Sequence, residues 1–72
     1  MQDDVHLLDV VAILQDVPES GLLRGQVGTV VELLGPGAYE VEFADDDGKT
    51  YAVLPLRAEQ LMLLRLRPAK VA

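Results

Sequence analysis

The stretch Ala38-Tyr39-Glu40-Val41-Glu42-Phe43-Ala44 decides the fold. Tyr39, Val41 and Phe43 alternate with Glu40 and Glu42, a period of two that a strand converts into one apolar face and one carboxylate face. A helix would not bring all three apolar residues to one side. Asp45-Asp46-Asp47-Gly48 follows, and its Asp-Gly pair accommodates the positive φ angles of a tight hairpin turn. Lys49 to Leu54 then returns as a second strand, which Pro55 is expected to end.

Working outward, Gly35-Pro36-Gly37 reads as a turn and Gln26 to Leu33 as the strand before it. Gly28 inside that strand signals a bulge or a close backbone approach. Gly25 and Gly28 are read as structural glycines of turn and bulge, and Gly48 as the glycine of the hairpin. Asp9 to Leu14 is β-branched and apolar, a first strand broken by Asp16 and Pro18-Glu19-Ser20-Gly21. Leu56 to Gln60 is too short for a stable helix and fits a single 3₁₀ turn. Leu61 to Leu66 closes the chain as a fifth strand, ahead of Pro68. Five short strands without an amphipathic helix predict an all-β domain, a small five-stranded barrel with a short 3₁₀ turn before the last strand. The whole chain, 1–72, reads as one domain, with an ordered core over about 8–66 and flexible termini.

The chain has 72 residues and half of them are apolar, with Tyr39, Tyr51 and Phe43 the only aromatics. A domain this small has a thin core. The surplus of aliphatic side chains therefore points to a subunit or partner interface. There is no cysteine, so disulfides and thiolate metal sites are excluded, and the single His6 cannot make a His-rich site. The formal net charge is -6. Ten of the twelve acids lie between Asp3 and Asp46, whereas four of the six bases (Arg57, Arg65, Arg67, Lys70) lie in the last quarter. An acidic average field disfavours DNA or RNA, whose affinity rests on phosphate neutralisation. The acidic start, Met1 to Asp4, is unlike a secretory signal, and no apolar stretch approaches a membrane span. The expectation is a soluble cytoplasmic protein without a membrane.

Few residues suggest chemistry. Asp45-Asp46-Asp47 lacks the alternating acids and terminal glutamate of an EF-hand loop, and reads as a solvated turn. Glu32, Glu40 and Glu42 form an acidic face, suited to a basic partner rather than to acid–base catalysis. Ser20 and Thr29 have no base in a recognisable motif, and the glycines lack P-loop spacing. Neither a catalytic residue nor a metal or cofactor is expected. The candidate interface is Leu61, Met62, Leu63, Leu64 and Leu66, because both faces of that strand are largely apolar and an apolar edge strand tends to pair with another chain.

Three stretches carry a resemblance: Asp16-Val17-Pro18-Glu19, Gly25-x-x-Gly28-Thr29-Val30-Val31 and Tyr39-x-Val41-Glu42-Phe43. From about Leu8 to Leu63 the chain resembles a bacterial family, domain of unknown function 4926. That resemblance implies an SH3-like barrel but no established activity. Some members stand beside toxin-like proteins, which implies an antitoxin- or immunity-like role with a basic protein partner. The pattern Gly25-x-x-Gly28-x-Val30 is also similar to the KOW element of nucleic-acid-binding barrels. Such binders carry Lys and Arg beside those glycines, whereas here only Arg24 is basic and Glu32, Glu40 and Glu42 are acidic. The favoured expectation is a noncatalytic interaction module that docks through an edge strand, with self-association as its nearest realisation.

Overall fold

The computed structural model describes Val5 to Pro68, so the greater part of the expected flexible termini, 1–4 and 69–72, lies outside the described residues. Five strands form one antiparallel sheet: β1 (Val10–Ile13), β2 (Val27–Gly35), β3 (Ala38–Ala44), β4 (Thr50–Arg57) and β5 (Leu61–Leu63). A 3₁₀ turn, Ala58–Gln60, precedes β5 as expected, and a second, Pro18–Ser20, lies in the β1–β2 loop. The strand order is β4-β3-β2-β1-β5. β4 and β5 are thus the edges. Among the described residues no ladder joins them, so the sheet is open.

The period-two pattern of β3 sets the core. Phe43 pairs with Gly28 on one side and Ala52 on the other, and Val41 pairs with Val30 and Leu54. These residues share one face, where Val11, Leu22, Val30, Val41 and Phe43 are wholly buried and Ile13, Leu56 and Leu61 nearly so. Leu22 reaches this core from the β1–β2 loop. That loop is pinched by paired bonds between Val17 and Leu22, whose N–H groups each donate to the other's carbonyl at 2.9 and 3.1 Å. No buried side-chain polar atom among the described residues lacks a hydrogen-bond partner.

Gly28 is a close approach and not a bulge. A Cβ there would lie 2.7 Å from Val41 Cγ1 and 2.9 Å from both the Glu42 carbonyl oxygen and Phe43 Cδ2. The ladder between β2 and β3 shifts register elsewhere, between Val30 and Glu32 and between Leu33 and Gly35.

Of the strand limits that differ from expectation, those of β4 and β5 bear on the site. Pro55 does not end β4, which runs on to Arg57. Because β4 is an edge strand, the donor that proline lacks need not be supplied to a second neighbour. β5 stops at Leu63, although Leu64 N–H still donates to the Val10 carbonyl at 3.0 Å. Its partner β1 begins at Val10, and ahead of it the chain turns, with Asp9 N–H bonded to His6 O at 3.1 Å. Arg65 and Leu66 have no strand left to extend.

That turn places Leu8 at φ 71, the only non-glycine residue among those described with positive φ. An L side chain in this region is strained by about 1–2 kcal/mol. Leu8 is also 70% exposed, so its side chain recovers little by burial. Asn tolerates the left-handed region better. Leu8→Asn is therefore expected to leave the thermal midpoint unchanged or raise it by a few degrees, checked by circular-dichroism melting of the dilute protein. A marked fall would assign Leu8 a packing role.

Candidate functional site

The site is built at the β5 edge. Strand alternation sends Leu61 into the core and packs Leu63 against it, while Met62 faces outward and is 52% exposed. Leu64 is half-buried, and Leu66, beyond the strand, is 75% exposed. The five residues singled out from sequence thus divide by depth: Leu61 and Leu63 hold the strand down, and Met62 and Leu66 are free to meet another surface. Between the start of β1 (Leu8 to Val10) and the residues following Leu63 lies an open groove of ≈ 450 Å³, with Asp9 on one wall and Arg67 on the other. Val27, which shares Ala12 as a neighbour with Met62, is 47% exposed on the same outer side, whereas Val53, 48% exposed, lies across from Glu42.

The acidic face lies on the opposite half of the sheet. The register sets Glu32 directly across from Glu40, and Glu42 across from Thr29 and Val53. Like charges directly opposite destabilise a strand pair slightly. Glu32 is exposed, whereas Glu40 and Glu42 are half-buried. Glu42 Oε2 accepts a bond from Thr50 Oγ1 at 2.7 Å.

Asp45 has a local use. Its Oδ1 accepts bonds from the N–H groups of Asp47 and Lys49, each at 2.9 Å, closing the β3–β4 hairpin around Gly48 at φ 80. Among the described residues no group of three or more His, Cys, Asp or Glu could hold a metal ion. Arg24 N–H donates to Asp16 Oδ1 at 2.8 Å across the β1–β2 loop, and Gly25 turns there at φ 94.

Two arrangements escape sequence reading. Gln26 Nε2 donates to Tyr51 Oη at 2.7 Å, tying the β1–β2 loop to β4, and the Tyr51 ring lies 6.5 Å from that of Phe43. Residues 25 apart along the chain carry no local signal of such a bond. Arg57 Nε donates to Glu59 Oε2 at 2.9 Å, and this bond chiefly holds the Glu59 carboxyl below the usual carboxylate range. Both groups are exposed, so the pair contributes little to stability. Its effect is to fix two charges beside the start of β5.

No helix among the described residues is long and apolar enough to cross a membrane. No curated protein and no solved structure matches the chain. Residues 7–63 match a family described as Domain of unknown function (DUF4926), which takes in all five strands and the candidate β5 edge. With the match spanning most of its length, the chain belongs to the DUF4926 family.

Proposed function

We propose that the domain is a noncatalytic protein-interaction module that docks through its β5 edge and the apolar residues beside it, associating with itself. The observation that carries this reading is the combination of an edge strand with Met62 exposed on it and Leu66 exposed beyond its end. An edge strand presents unpaired backbone groups, and adjoining apolar side chains supply the area that main-chain bonds alone lack. The other edge is blunted by Pro55. In the same reading the sheet curls as an SH3-like barrel. The five-strand order and a single core that takes residues from both β4 and β5 support that architecture.

Light scattering coupled to size-exclusion chromatography tests the proposal over a concentration series. The expected result is a mass that rises from one chain to two. Met62→Glu is expected to weaken the association at least tenfold, by placing a charge where an apolar contact forms. The residue is half-exposed in the single chain, so the variant should fold normally. A constant single-chain mass up to millimolar concentration would overturn self-association.

A further inference from the structure

We draw no further inference here: the strongest candidate, the open groove between the start of β1 and the residues following Leu63, with Leu66 exposed on its wall, carries nothing because nothing in the structure shows what covers it.

Discussion

Phe43→Ala is expected to lower the unfolding free energy by about 3–5 kcal/mol. A chain of this length has a total stability on the order of 4–10 kcal/mol, so the variant should lose from about a third to all of it. Phe43 is the largest of the wholly buried side chains, and it occupies the centre of the interior row. Gly28 lies beside it on β2, Ala52 beside it on β4, and the Tyr51 ring stands 6.5 Å away. Both lateral neighbours are small, so neither can extend to fill the space the ring leaves. The cavity term is therefore retained nearly in full. Urea denaturation followed by circular dichroism measures the loss. A cost below about 1 kcal/mol would mean that the core closes over the gap, against the rigid packing described for such interiors.

The second large effect lies on the other side of the same contact. Gly28→Ala is expected to cost about 2–3 kcal/mol by overpacking. The new methyl would fall 2.7 Å from Val41 Cγ1 and 2.9 Å from the Glu42 carbonyl oxygen. The first neighbour is a core side chain with no exposure, and the second belongs to the β3 backbone, so neither gives way cheaply. Gly28 does not have positive φ. The substitution therefore acts by contact alone, and relief at the contact should restore stability. Combining Gly28→Ala with Phe43→Ala tests this, since the methyl then enters space that the ring has left. The double variant should be destabilised by less than the sum of the two single costs, by at least about 0.5 kcal/mol. Strict additivity would place the strain on the Val41 and Glu42 contacts, which Phe43→Ala leaves in place.

The parts legible from sequence are those governed by neighbours along the chain. The alternation of Tyr39, Val41 and Phe43 sufficed for β3, from Ala38 to Ala44, because side-chain period is a property of the strand itself. Asp45 and Gly48 sufficed for the hairpin, since turn chemistry is local. Gly28 could be recognised as special, though not as bulge or contact, because that choice depends on Phe43 and Val41 across the ladder.

Tertiary structure decided whatever depends on which strands become neighbours. Pro55 reads as a strand breaker until β4 is known to be an edge, where no second partner needs its missing donor. β5 ends at Leu63 because β1 begins at Val10, a limit set by a partner some fifty residues earlier. Leu22 enters the core only because its loop folds back onto the sheet. For the candidate site, the run Leu61 to Leu66 announced surplus apolar surface, and its position at the sheet edge was not visible in the run itself. The pairing of β5 with β1 separated the residues that hold the strand, Leu61 and Leu63, from those turned outward, Met62 and Leu66. Composition determined that this small acidic chain carries more aliphatic surface than its interior holds. Register determined where that surface lies, because a strand has two faces and only pairing chooses which one is buried.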